Sequence, residues 1–312
     1  MARILVTGTL AIDYIATYPG VFAGLPQHPG INLSIHLGKI DRRFGGCAMN
    51  IVYSLKLLGH EPIPFVFVGD DFDGDYQRHL ERLGIERDGI IAVSGAAYSS
   101  HAFIFTDRDN NQFTGFYPGP ARVEDFAERL TAFIDANDFS YAVVAPDVPG
   151  NMITAAAILN DKGVPFLSDP GQGLTDFTPD DIRAFLALSR ELIVNEFEHQ
   201  TMLERAGAEA LDHLTCLVVT LGADGARSGA TRVAAAPAGE TKDPTGCGDA
   251  FRAGYVDARL RGAGTRDALR AGAVVATVNL EVEGSQLHSL DTYYERYTST
   301  WNDRPGWLSS TA

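Results

Sequence analysis

Little in this 312-residue chain favours a membrane, a nucleic acid or an oxidising compartment. No apolar run approaches the ~20 residues that a membrane-spanning helix needs. Positive charge is scarce: 25 lysines and arginines stand against 40 aspartates and glutamates, a formal charge of −15. An acidic surface repels phosphate backbones and anionic lipid, so nucleic acid and membrane are set aside as partners. An anionic ligand must then be received by a local pocket or arrive with a metal ion. Cysteine is rarer still. Cys47, Cys216 and Cys247 are an odd number without short pairings, which argues against a disulfide framework. The opening Met-Ala-Arg runs at once into Ile4-Leu5-Val6, too short an apolar stretch for a signal peptide. The expected home is a reducing cytoplasm.

Several well-known chemical signatures are missing too. There is no Gly-x-x-x-x-Gly-Lys-Ser/Thr, so the chain is not a P-loop protein. After the first strand it reads Gly8-Thr9-Leu10-Ala11-Ile12-Asp13, which is not a dinucleotide-binding Gly-x-Gly-x-x-Gly. No His-Glu-x-x-His or Cys-x-x-Cys points to zinc, and no Gly-x-Ser-x-Gly to a serine hydrolase. The acidic run Asp70 to Asp75 fails the calcium-loop pattern, because its glycine is misplaced. It reads as a helix cap. There is no internal repeat, low-complexity tract or linker.

What is present is alternation. Short apolar runs at Ile4–Val6, Pro64–Val68, Tyr141–Ala145, Pro165–Leu167, Leu192–Val194 and Cys216–Thr220 read as buried strands. Helical patterns lie between them: Ala48–Leu58, Asp75–Leu83, Val123–Ala136, Met152–Leu159, Pro179–Leu188 and Glu196–Ala206. Buried strands alternating with helices imply a three-layer α/β fold, a mostly parallel sheet with helices on both faces. Ile31–Ile40 and Ser99–Phe116 alternate polar and apolar instead, the second with a turn at Asp107–Asn111. They predict a small antiparallel sheet set apart from the main one, placed to act as a lid. From Asp249 the chain reads as helix: Asp249–Leu260, Thr265–Val282 and about Thr292–Thr300. The tail Asn302–Ala312 lacks periodicity and is expected to fray. The expectation is one domain over 1–312, with lid segments at about 13–44 and 98–118.

The most informative stretch is Asp243-Pro244-Thr245-Gly246-Cys247-Gly248-Asp249-Ala250-Phe251-Arg252-Ala253-Gly254. A helix starting near Gly246 leaves its first N–H groups without intrahelical partners. Glycines let an anion come close to those donors. An acid beside an anion hole is badly placed for holding phosphate. It is well placed to take a proton from a hydroxyl that attacks a phosphoryl group. Read alone, the stretch is equally a capped helix with an acid on its dipole.

Four weaker features accompany it. Asp13 follows the first strand, where an acid can bind neighbouring sugar hydroxyls. Gly45-Gly46-Cys47-Ala48-Met49-Asn50 opens a helix, and Asn50 can both donate and accept. Asn195-Glu196-Phe197-Glu198 reads as a capping box, or as an acid, Glu198, that orients water on Mg²⁺. Thr220-Leu221-Gly222-Ala223-Asp224-Gly225 is a turn or the wall of a nucleotide pocket.

Their order and spacing resemble the ribokinase-like (phosphofructokinase-B type) family of carbohydrate and purine kinases, over nearly the whole chain. Within that family the likeness is nearest to bacterial adenosine kinases. It is carried by Thr7-Gly8-Thr9-Leu10-Ala11-Ile12-Asp13, Phe116-Tyr117-Pro118-Gly119, Arg252 inside Asp-Ala-Phe-Arg-Ala-Gly, and Leu280-Glu281 leading to Gly284-Ser285-Gln286. The resemblance implies ATP-dependent phosphorylation of a ribose 5′-hydroxyl, with adenosine as the substrate. It implies Asp249 as base and the amides of Gly246, Cys247 and Gly248 as anion hole. Asp13, Thr9, Gly46 and Asn50 would hold the ribose, with Phe116 and Phe103 as stacking surfaces for the base or as mere packing. Asn195 and Glu198 would serve Mg-ATP, while Thr220, Gly222, Gly225 and Asn279 line the nucleotide site. Arg252 would reach phosphate or sit on the surface. Asp169-Pro170-Gly171-Gln172-Gly173 departs from the pattern of two neighbouring glutamines, leaving Gln172 alone to meet the nucleoside. A K⁺ requirement, seen in some relatives, stays open, as does a homodimer through the lid sheet. The rival readings are a sugar kinase of the same fold, a catalytically silent sensor and a protein-interaction module. A sugar-acid kinase would use Arg42, Arg43 or His101 as its cation.

Overall fold

A computed structural model describes residues 1–25, 33–72, 74–109 and 111–308. The chain begins with β1 (Arg3–Thr7), β2 (Ala11–Thr17), β3 (Lys39–Gly45), α1 (Cys47–Leu57), β4 (Glu61–Val68) and α2 (Gly74–Leu83). β5 (Ile90–Ala92), β6 (Ser100–Thr106), β7 (Gln112–Tyr117), α3 (Phe126–Asp135), β8 (Tyr141–Val144) and α4 (Pro149–Asp161) follow. Then come β9 (Phe166–Ser168), α5 (Pro179–Leu188), β10 (Glu191–Asn195), α6 (Glu196–Ala206) and β11 (Cys216–Thr220). The last elements are β12 (Ala226–Ser228), β13 (Thr231–Val233), α7 (Cys247–Leu260), α8 (Thr265–Leu280) and α9 (Tyr293–Trp301).

Nine strands form the main sheet in the order β13-β12-β11-β10-β9-β8-β1-β4-β5. All pairings from β11 to β5 are parallel, and the β12 and β13 edge is antiparallel. Strands covered on both faces have apolar interiors, and β1, β8 and β10 show this, with polar residues confined to the ends of β1 and β10. One core joins the sheet to α1, α2, α7, α8 and α9; the other joins it to α3, α4, α5 and α6. The order of strands reverses at β1, between β4 and β8. Ligands of open α/β sheets bind outside the carboxyl ends at such a point.

Four strands form the small sheet, β3-β2-β6-β7. Its two antiparallel pairs, β2–β3 and β6–β7, are joined by parallel pairing of β2 with β6. The segment expected as a strand over Ile31–Ile40 is extended only from Lys39, and runs on to Gly45. Ile31 and Asn32 lie outside the described residues, as does Asp73, the residue before α2 in the expected cap. Through Leu308 the tail is anchored rather than frayed. Trp307 packs edge-on against Tyr297 at 5.4 Å, and Leu308 is buried. Two apolar anchors need no periodicity. Among the described residues no helix is long and apolar enough to cross a membrane.

Candidate active site

α7 starts at Gly246, whose φ of 77° and ψ of 0° are left-handed. A Cβ there would lie 2.5 Å from the Ser285 Cβ, so the turn requires glycine. The first helical bond runs from Ala250 N–H to the Gly246 carbonyl, 2.9 Å. Among the described residues, the N–H groups of Gly246, Gly248 and Asp249 have no partner. Cys247 differs from expectation. Its N–H donates to the Pro244 carbonyl at 3.2 Å, because the left-handed Gly246 closes a turn there.

The Asp249 carboxylate sits beside these amides, 9% exposed. Asn50 Nδ2 donates to its Oδ2 at 2.8 Å. Burial pushes the Asp249 pKa up to about 6, while the Asn50 hydrogen bond, the Arg252 charge and the Cys47 thiol pull it down. Asp13 shares the region. Burial, then the charges of Asp249 and Asp243, push it up to about 7. A Cβ on Gly45 would lie 2.1 Å from Asp13 Oδ2, so this glycine gives the carboxylate its room. Gly46, at φ 92°, is required by the β1–β2 connection, since a Cβ would lie 2.4 Å from the Thr9 carbonyl oxygen.

At the neighbouring strand ends, Asn195 closes β10 and pairs in register with Thr220, the last residue of β11. Asn195 and Glu198 form a full capping box: Glu198 N–H donates to Asn195 Oδ1 at 2.7 Å, and Asn195 N–H to Glu198 Oε2 at 2.8 Å. Glu198 is nonetheless 4% exposed, and its charge is felt by Asp169, Asp249 and Arg252. Among the described residues no group of three or more His, Cys, Asp or Glu side chains is arranged to hold a metal ion.

The model of the pfkB family carbohydrate kinases matches residues 1–292. The chain belongs to that family. It is an ATP-dependent kinase, with the ribokinase-like fold. It is 29% identical to a nucleoside kinase of Methanothermobacter thermautotrophicus, over 97% of both chains. It is similar to the Burkholderia thailandensis nucleoside kinase in complex with inosine, with a TM-score of 0.87, 30% identity, and 97% and 98% of the two chains covered. The ADP-inosine complex of that enzyme gives a TM-score of 0.84 at 32% identity, covering 97% of each chain.

Other expected site residues of the kinase are placed differently. Arg252 is neither on the surface nor free to reach out. It is 5% exposed, forms an ion pair with Asp169, and donates to the carbonyls of Gly248 at 2.9 Å and Ile193 at 3.3 Å. Asn279 is fully buried; its Nδ2 holds the Thr245 carbonyl at 2.8 Å and approaches Cys247 Sγ at 3.5 Å. It braces the loop that leads into α7. Gly225 answers a packing need, since a Cβ would lie 2.1 Å from the Val233 carbonyl oxygen. Gly222 turns the same short loop at φ 57°, with open space around it. Gln172 is exposed on the 3-10 turn after β9. Asp13, Ala102 and Phe116 form one cross-strand row of the small sheet, and Tyr14, Phe103 and Gly115 the next. Successive residues of a strand face opposite ways. Phe116 therefore shares the face of Asp13, and Phe103 does not; it stacks on Tyr14 at 5.5 Å.

Of the cations considered for a sugar acid, Arg43 lies 3.6 Å from both Asp41 and Glu283. His101 is held by the Ser99 carbonyl and Asp71. Asp169, Tyr76, Ser285 and Gln286 are site residues that motif reading left without a role. Ser285 and Gln286 lie inside the Gly284-Ser285-Gln286 stretch that carries the likeness; Tyr76 gave no signal, being a single tyrosine on an ordinary amphipathic helix.

Proposed function

We propose that the kinase transfers the γ-phosphoryl group of ATP to the 5′-hydroxyl of a nucleoside ribose. Adenosine is the substrate that the motif likeness favours; inosine is the second reading, favoured by the inosine complexes of the Burkholderia enzyme. One observation carries the reading: a buried carboxylate, Asp249, hydrogen-bonded to Asn50, lies beside unpartnered amides at the start of α7. Asp249 takes the hydroxyl proton as that oxygen bonds to the γ-phosphorus and the bond to ADP breaks. The amides of Gly246, Gly248 and Asp249 receive the charge on the moving phosphoryl group. Asp13 and Asn50 hold the ribose, and Phe116 offers its ring to the base. Asn195, Thr220 and Gly222 border the nucleotide.

A magnesium ion that arrives on ATP needs few protein ligands, because it keeps phosphate oxygens and waters. Glu198 fits the task of orienting such a water, being an acid whose charge already reaches Asp249 and Arg252. When bound, the ion neutralises phosphate charge. The small sheet acts as the lid that excludes water. Its side away from Asp13 exposes Ile40, Phe103, Phe113 and Tyr117, and two copies meet there.

ATP consumption against adenosine, inosine, guanosine, cytidine, ribose and fructose tests the reading. A purine nucleoside is expected to give the highest kcat/KM. Preference for free ribose or fructose would overturn it.

A further inference from the structure

A chain of buried hydrogen bonds leads from a backbone carbonyl to the Asp249 carboxylate, and its direction is fixed throughout. The Gly45 carbonyl can only accept. Tyr76 donates its hydroxyl proton to it at 2.9 Å. The Tyr76 oxygen is then an acceptor for its other buried neighbour, Gln286 Nε2, at 3.2 Å. That contact orients the Gln286 amide. Its Nε2 donates onward to Asn50 Oδ1 at 3.0 Å, and its Oε1 faces His79 Nε2 at 3.0 Å. Desolvation holds the His79 pKa below its ordinary value, so a neutral ring donates there. Ser285 Oγ donates to Asn50 Oδ1 as well, at 2.8 Å. With both donors on its oxygen, the Asn50 amide has one orientation left: Nδ2 toward Asp249. The reverse orientation would set a carbonyl against a carboxylate, and an amine against the amine of Gln286.

We propose that Tyr76 and Gln286 are positioning residues for phosphoryl transfer: they lock the Asn50 amide so that an N–H always meets Asp249, keeping that carboxylate ionised and ready to accept a proton. The inference rests on the reading of Asp249 as the base. Five elements are tied by the chain: β3 through Gly45, α2 through Tyr76 and His79, the segment after α8 through Ser285 and Gln286, α1 through Asn50, and α7 through Asp249. Neither Tyr76 nor Gln286 need touch substrate.

The test is the pH profile of kcat for the wild-type kinase, Tyr76→Phe and Gln286→Glu. Tyr76→Phe removes one hydroxyl and keeps the ring. Gln286→Glu keeps the shape but offers only acceptors once ionised, so it draws the Asn50 amine to itself. The charged groups that also face Asp249 are unchanged in both: Asp13 on β2, Asp169 after β9, Glu198 on α6 and Arg252 on α7; so is Asp243 before α7, whose charge acts on Asp13. Cys47, on α1, is unchanged too.

Loss of a hydrogen bond to the charged form moves a carboxyl pKa up. The acid limb is expected to rise from about 6 by about one pH unit in each variant, so that kcat falls roughly twofold at pH 7 and roughly 10-fold at pH 5. The KM for ATP should stay within about twofold, since the ATP-binding groups are untouched. A wild-type acid limb in Tyr76→Phe, with the variant folded by circular dichroism, would overturn the inference whatever Gln286→Glu does. If Asp249→Asn also keeps its turnover, the base itself is wrong. If Asp249→Asn loses turnover and Tyr76→Phe keeps its limb, only the positioning role falls.

Discussion

Asn50 Nδ2 meets Asp249 Oδ2 at 2.8 Å, joining the first turns of α1 and α7 across the carboxyl edge of the sheet. A donor on a carboxylate favours the ionised form, while burial opposes it. The balance leaves Asp249 near 6. The kcat/KM of the free enzyme for nucleoside is therefore expected to fall as pH drops through about 7, where Asp13 takes up its proton, and about 6, where Asp249 does. Asn50→Leu, which removes the donor and keeps the volume, should move the Asp249 limb upward and raise the nucleoside KM. A profile flat to well below both values would contradict the assignment.

Asp13 carries a cost to the fold. Its folded pKa of about 7 lies well above the ordinary carboxyl value of 3.8. A carboxyl raised in the fold lowers stability once pH exceeds its unfolded value, and the penalty is complete above its folded value. Asp13→Asn should thus stabilise the ligand-free protein by about 1–4 kcal/mol at pH 8. The gain should shrink between pH 7 and pH 4 and vanish below. Urea unfolding at several pH values reads this directly. The same variant should bind nucleoside poorly.

Arg252 and Asp169 are both buried, at 5% and 1% exposure. Removing one partner strands the other charge. Arg252→Met is expected to destabilise by about 3–5 kcal/mol. Adding Asp169→Leu should restore much of that loss, because no lone charge then remains. Equal losses in the single and double variants would show that the pair is not coupled.

Gly45→Ala tests the room left for Asp13. The new Cβ would lie 2.1 Å from Asp13 Oδ2, so the carboxylate must move. The nucleoside KM should rise by roughly 10-fold or more, the scale of one lost hydrogen bond to a charged group. The KM for ATP should change little. A normal nucleoside KM would remove Asp13 from the ribose site.

Much of this architecture is legible from residue patterns, for physical reasons. β11 and α5 fall where their apolar runs and flanking residues place them, because a strand covered on both faces must have an apolar interior. β2 stays hidden. Ala11–Thr17 carries a buried Asp13 among its apolar residues, which reads as a loop acid. β3 is hidden by charge: Lys39, Asp41 and Arg43 look solvated, yet Asp41 bridges Lys39 at 2.7 Å and Arg43 at 3.6 Å within the strand. Spacing brings Asn50 and Asp249 forward as candidates, but nothing in one dimension shows that they touch. Arg252 and Asp169 are 83 residues apart, and only the crossing of α7 over the strand ends makes them partners. Phe103 and Phe116 look alike in sequence; register alone puts them on opposite faces.

The most direct measurement is single-turnover phosphoryl transfer by Asp249→Asn, with nucleoside binding measured in parallel. Loss of a general base predicts transfer slowed by roughly 10²-fold or more, with the nucleoside still bound. Transfer at close to the wild-type rate would contradict the central claim.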